Sequence, residues 1–168
     1  MRHIPNILTF LRLALLPFIL IELAAGRRAT GLPLLIFSGT TDMIDGYLAR
    51  RFHWESKLGA MLDPIADKLL LVSLFLALGI DGSIPWWLVS IVLGRDALLL
   101  LGAAFLFRRL KSFPPSKAGK LSTIVQGITI LVVLFHVWPW PFFIATAVVT
   151  IVSGVHYIWR TFKLIQAH

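Results

Sequence analysis

The chain has 168 residues, 58% of them hydrophobic and 14% charged, with a net charge of +8 and a mean hydropathy of +0.85. A soluble domain is about a quarter charged, so this composition excludes an ordinary soluble fold and predicts a polytopic membrane protein. Cysteine is absent, which excludes disulfides and thiolate metal sites. The basic residues lie between apolar runs, which points the positive charge at anionic lipid and phosphorylated substrates, with no nucleic acid partner.

Six apolar runs follow in chain order, at residues 7–25, 31–49, 58–79, 84–107, 121–138 and 142–159. Each approaches the ~20 residues that cross a bilayer as a helix. Helices are expected over strands because unpaired backbone in lipid costs several kcal/mol per group. The expected fold is all-α, six transmembrane helices in one bundle. Residues 1–168 form one integral-membrane domain, since no repeat, low-complexity tract or second domain is evident. Trp86, Trp87, Trp138, Trp140 and Trp159 fall near run ends, as interfacial aromatic belts do.

The first run carries Arg12 and Pro17 and is read as a retained helix, not a cleaved signal peptide. If the helices alternate, Arg2, Arg50, Arg51, Lys57, Arg108, Arg109, Lys111, Lys117, Lys120, Arg160 and Lys163 share one side. The other side has Arg27 and Arg28. The basic side, with both termini, is expected in the cytoplasm, and a bacterial inner membrane is the expected location.

The second and third runs carry four aspartates. If these runs form an antiparallel pair joined near Trp54, Asp45 lies nine residues before that point and Asp63 nine after. Asp42 lies twelve before and Asp67 thirteen after. Each pair then sits at nearly equal depth. Asp42, Asp45 and Ala49 share one helical face, and Gly59, Asp63 and Asp67 share another. Two carboxylates ~5 Å apart repel by roughly 3 kcal/mol at an effective dielectric of ~20, so a cluster binds protons or collects cations. Oxygen-only donors favour Mg²⁺ or Mn²⁺, with Ca²⁺ less selected, and four carboxylates suit two ions. The rival reading pairs these acids with Lys68, Arg50, Arg51 or Arg95. Gly46 and Gly59 allow close approach of helices or of a ligand. Pro64 is expected to kink the third helix or restart it with Asp63 as cap.

The stretch from Asp42 to Asp67 matches the pattern D-x2-D-G-x2-A-R-x8-G-x3-D-x3-D at every position. It resembles the signature of the CDP-alcohol phosphotransferase family, whose members have six helices. "IPNILTFLR" and "SKAGKLSTIVQ" resemble segments of its phosphatidylglycerophosphate synthase branch. The Ser116-Lys117 and Arg95-Asp96 steps are similar to those of its cardiolipin synthases.

The resemblance implies transfer of a phosphatidyl group from CDP-diacylglycerol to an alcohol, with CMP released, in a polar cavity near the cytoplasmic side. It implies that Asp42, Asp45 and Asp63 bind metal, that Asp67 shares in this, and that Asp67 is the catalytic base. It places Asn6, Thr9, Gly46, Ala49, Arg50, Ser56 and Gly59 at the donor, and implies a homodimer. Arg95, Arg108, Arg109, Lys117 and Lys120 are candidates for the acceptor, first of all glycerol 3-phosphate. For Arg50 the rival role is a positive-inside anchor, for Asn6 and Thr9 helix capping, and for the loop cations lipid headgroups. Arg95 and Asp96 point about 100° apart on a helix, so each is expected to find a partner elsewhere. Phosphatidylglycerol or an inositol phosphate are the alternative acceptors, and a divalent-cation transporter is the alternative class.

Overall fold

The computed structural model describes the backbone of residues 4–51, 57–107 and 117–166, and the side chains of 14–41, 67–102 and 118–161. Among these residues there are six helices and no strand. They are α1 (Ile4–Ala24), α2 (Arg28–Arg51), α3 (Lys57–Ile80), α4 (Trp86–Phe107), α5 (Lys117–Leu134) and α6 (Trp140–Gln166). Two units divide the chain, Met1–Ser83 and Ile84–His168.

Several helix ends depart from the expected ones, for local reasons. The fifth run reads as apolar to 138, yet α5 stops at Leu134. His136 adopts a left-handed φ of 56°, and the His136 and Val137 amides donate back to the carbonyls of Val133 and Val132. That is a Schellman stop. Gly26 and Gly82, at φ of 72° and 79°, end α1 and α3 in the same way. Basic residues read as loop lie on helix ends instead: Arg50 and Arg51 in the last turn of α2, and Lys117 and Lys120 in the first turn of α5. The third helix does not restart at Asp63, because α3 is continuous from Lys57 to Ile80 through Pro64.

In the first unit, α1 packs against both α2 and α3. Ile19 and Leu23 of α1, one turn apart, are buried, as are Leu74, Phe75 and Leu78 of α3. Gly31 sits so close to α1 that a Cβ there would lie 2.7 Å from Leu23 Cδ2. Phe18, Ile21, Ile36 and Phe37 remain exposed.

In the second unit, α4 and α5 both pack on α6. The buried seam between α5 and α6 is polar. Ser122, Gln126 and Thr129 recur at i, i+4, i+7 on α5, as do Thr146, Thr150 and Ser153 on α6. Thr129 Oγ1 and Thr146 Oγ1 are 2.6 Å apart, and Gln126 Nε2 donates to both Ser122 Oγ and Thr150 Oγ1 at 3.3 Å. Meanwhile Leu121, Ile124, Ile128 and Leu131 face outward on α5, and Ile144, Val148, Ile151 and Val155 on α6. Hydroxyls inside and aliphatic side chains outside invert the pattern of a helix pair in water. They suit a pair in lipid, where interhelical hydrogen bonds hold the seam.

All five tryptophans near the run ends are exposed, so they are not core aromatics. Among the described residues, one segment, Trp140–Thr161, is long and apolar enough on its own to cross a bilayer.

Candidate active site

The candidate site is built on the last part of α2 and the first part of α3. Asp42, Asp45, Gly46, Ala49 and Arg50 lie on α2, and Gly59, Asp63 and Asp67 on α3. Just before Asp42, the Thr40 hydroxyl donates to the Ile36 carbonyl at 2.9 Å, and Thr41 bonds the Phe37 carbonyl. These hydroxyls are satisfied within their own helix. Asp67 is exposed on α3. The side chains of Asp42, Asp45, Gly46, Ala49, Arg50, Gly59 and Asp63 lie outside the described residues. Among the described side chains, no cluster of three or more metal-ligating groups occurs.

What the structure adds is a reference point at the opposite end of the two helices. Arg28 opens α2, and Asp81 directly follows α3. Arg28 Nη2 donates to Asp81 Oδ2 at 2.9 Å, and Ser83 Oγ bonds both residues. The start of α2 therefore lies beside the end of α3. Counting from this bridge, Asp42 is 14 residues along α2 and Asp67 is 14 residues back along α3. Asp45 is 17 along and Asp63 is 18 back. At about 1.5 Å per residue, these counts correspond to about 21 Å and about 26 Å of helix from the bridge.

The chemistry of this donor set fits a hard divalent cation. It offers carboxylate oxygens only, and its stretch holds one imidazole, His53, in the segment between the helices.

Asn6 and Thr9 lie in the first turns of α1, with side chains outside the described residues. Ser56, Arg108 and Arg109 lie outside them altogether, as does the side chain of Lys117. Lys120 is exposed in the first turn of α5. Arg95 is buried on α4, where it finds the expected partner on another helix and also bonds its neighbour. Arg95 Nη1 donates to Asp96 Oδ1 at 2.7 Å, and Nη2 donates to Ser153 Oγ of α6 at 2.8 Å. The guanidinium is long enough to fold back on its neighbour, which the 100° Cβ argument ignores. Arg95 Nε and Gln126 Oε1 are buried without a hydrogen-bond partner.

Two features escaped sequence reasoning. One is the Arg28–Asp81–Ser83 cluster, in which Arg28 lies 53 and 55 residues from its two partners. The other is the α5–α6 seam, which did leave a signal in two sets of Ser, Thr and Gln at helical spacing.

The sequence profile of the CDP-alcohol phosphatidyltransferase family matches residues 2–155, across both units. The chain belongs to that family. Among its relatives, a Mycobacterium tuberculosis protein named as a cardiolipin synthase is 41% identical over 122 residues, covering 71% of this chain and 58% of its own. Thus the chain's match spans little more than half the length of that relative. A second family member from Mycobacterium tuberculosis, named as a phosphatidylglycerophosphate synthase, is 34% identical over 173 residues, covering 96% of this chain and 82% of its own. An Aquifex aeolicus CDP-diacylglycerol–glycerol-3-phosphate 3-phosphatidyltransferase is 29% identical over 174 residues, covering 97% and 98%.

Proposed function

We propose that this chain transfers a phosphatidyl group from CDP-diacylglycerol to glycerol 3-phosphate, forming phosphatidylglycerophosphate and CMP. The observation that carries the reading is the eight-position signature, which falls on α2 and α3. The choice of acceptor rests on coverage. The relatives named for glycerol 3-phosphate transfer or phosphatidylglycerophosphate synthesis align over nearly all of this chain, while the match to the cardiolipin synthase is partial.

The setting we infer is six membrane-spanning helices forming a single domain, with the site toward the basic, cytoplasmic side of a bacterial inner membrane. The Lys and Arg bias supports that orientation, since the loops of the other side carry Arg27 and Arg28 while the remaining loop and terminal cations fall on the basic side.

Asp42, Asp45, Asp63 and Asp67 would hold two divalent ions, Mg²⁺ or Mn²⁺. When bound, such ions supply charge neutralisation for a pyrophosphate and for departing CMP. The chain's own groups do the rest. Arg50 offers a planar fork to a donor phosphate. Gly46, Ala49 and Gly59 leave room beside it, and Asn6, Thr9 and Ser56 offer hydrogen bonds to the nucleotide. Asp67 takes the proton from the acceptor hydroxyl as its oxygen bonds the phosphatidyl phosphorus and the phosphorus–oxygen bond to CMP breaks. Its exposed position leaves it reachable by a water-soluble acceptor. Arg108, Arg109, Lys117 and Lys120 would bind the acceptor's phosphate. Arg95 belongs with them because its Nε is unmatched inside the fold. A homodimer accords with the family resemblance.

A second reading keeps the chemistry and takes phosphatidylglycerol as acceptor, giving cardiolipin. It is favoured by the 41% identity to the protein named as a cardiolipin synthase. The test is a panel. Purified protein receives CDP-diacylglycerol, Mg²⁺ and either glycerol 3-phosphate, phosphatidylglycerol or an inositol phosphate. CMP release with glycerol 3-phosphate alone supports the first reading, and release with phosphatidylglycerol alone replaces it with the second. Cation flux into liposomes without CMP release would move the protein to the transporter class.

A further inference from the structure

The Arg28–Asp81–Ser83 cluster sits about 21 to 26 Å from the aspartate levels, far outside any contact with substrate. We propose that it is a positioning clamp, which sets the register of α2 against α3 and so keeps the four aspartates level. The inference rests on the metal-site reading above and deepens it.

α1 packs against both α2 and α3, and the cluster links α2 to the end of α3 directly through side chains. Sliding α2 by one residue would move its aspartates ~1.5 Å along the axis and turn their face by ~100°. Metal coordination tolerates only about 0.2 Å. A direct side-chain link between the two helices opposes such a slide.

The cluster is built for that. Its ion pair is largely buried, the side chains being 19% and 14% exposed, so it is less screened than a surface pair. Ser83 bonds both partners, which fixes the angle as well as the distance. The Schellman turn at Gly82 holds Asp81 and Ser83 in place, with the Ser83 amide donating to the Leu78 carbonyl at 2.9 Å. From the other side, the α1–α2 turn closes over the carboxylate. A Cβ on Gly26 would lie 2.8 Å from Asp81 Oδ1. The ends of α1 and α3 and the start of α2 thus meet on one carboxylate.

The test uses full-length protein in detergent and the probe Mn²⁺, read by electron paramagnetic resonance without substrate, well below each variant's unfolding midpoint. Asp81→Asn is expected to weaken Mn²⁺ binding about 2- to 30-fold, the range that remote substitutions carry between sites 20–40 Å apart. Ser83→Ala is expected to weaken it less. The exchange Arg28→Asp with Asp81→Arg restores the pair in reverse and is expected to recover most of the affinity. A purely structural role would lower the midpoint and leave Mn²⁺ affinity of the folded protein unchanged, so equal affinity in all variants overturns the clamp. If Asp81→Asn does not fold, Ser83→Ala and the exchanged pair still decide the matter. If the wild type binds no Mn²⁺, the metal-site reading itself fails and the clamp with it, which is a different result from equal binding.

Discussion

Thr129 of α5 and Thr146 of α6 share one hydrogen bond of 2.6 Å at the centre of a polar seam whose outer faces are aliphatic. In water such a seam would be a weak way to join two helices. In lipid the apolar faces gain nothing by meeting each other, and the hydroxyls gain by meeting inside. Thr146→Val should therefore cost about 0.6 to 1.7 kcal/mol, the span measured for interhelical hydrogen bonds in membranes. Thr129→Val should cost more than Thr146→Val, because after the latter Thr129 Oγ1 keeps its bond to the Val125 carbonyl of its own helix at 3.0 Å. The double variant should cost less than the sum, since it strands no hydroxyl. Unfolding in mixed micelles, read as a double-mutant cycle, checks all three.

Gly102 of α4 lies against Tyr157 of α6, and a Cβ there would come 2.6 Å from Oη and 2.8 Å from Cε1. The ring is buried and has little room to swing. Gly102→Ala should destabilise the second unit by about 1 to 3 kcal/mol, as overpacking does. Tyr157→Phe should rescue it only partly, removing Oη but leaving the ring edge. The unfolding midpoints of the single and double variants test this.

Arg95 and Asp96 form a buried ion pair, and breaking such a pair from one side leaves a charge without its counterion. Asp96→Asn should cost about 3 kcal/mol or more. Arg95→Met with Asp96→Asn should cost less than Asp96→Asn alone. If Arg95 also contacts the acceptor, Arg95→Lys should raise KM for glycerol 3-phosphate while kcat for saturated enzyme falls less. Unfolding and steady-state kinetics on the same preparations separate the two roles.

Gly26 combines a left-handed φ of 72° with a close approach to Asp81. Gly26→Ala should cost about 1 to 2 kcal/mol from the backbone alone. It should also weaken Mn²⁺ binding, because the added methyl presses on the carboxylate that Arg28 holds. Calorimetry and the Mn²⁺ titration check the two parts separately.

The six helices of the described residues were legible because they follow from the spacing of apolar runs along the chain. The 3.6-residue repeat and the length of apolar runs need no knowledge of partners. Helix ends were less legible where a non-glycine residue took the left-handed turn, as His136 did, since nothing in its neighbours marks it. Lys117 and Lys120 were read as loop because charge was taken as a sign of irregular structure, whereas they decorate a helix start. Arg95 illustrates the limit of Cβ geometry, because a long side chain can fold back on its neighbour. The Arg28–Asp81 bridge was invisible because 53 residues separate its members and no periodicity links them.

The most direct test of the account is Mg²⁺-dependent CMP release from CDP-diacylglycerol in the presence of glycerol 3-phosphate, compared between wild type, Asp45→Asn on α2 and Asp63→Asn on α3. If both helices contribute to one metal site, wild-type release requires Mg²⁺, and each variant loses at least about 100-fold. Release that needs no divalent ion, or wild-type release by either variant, would contradict it.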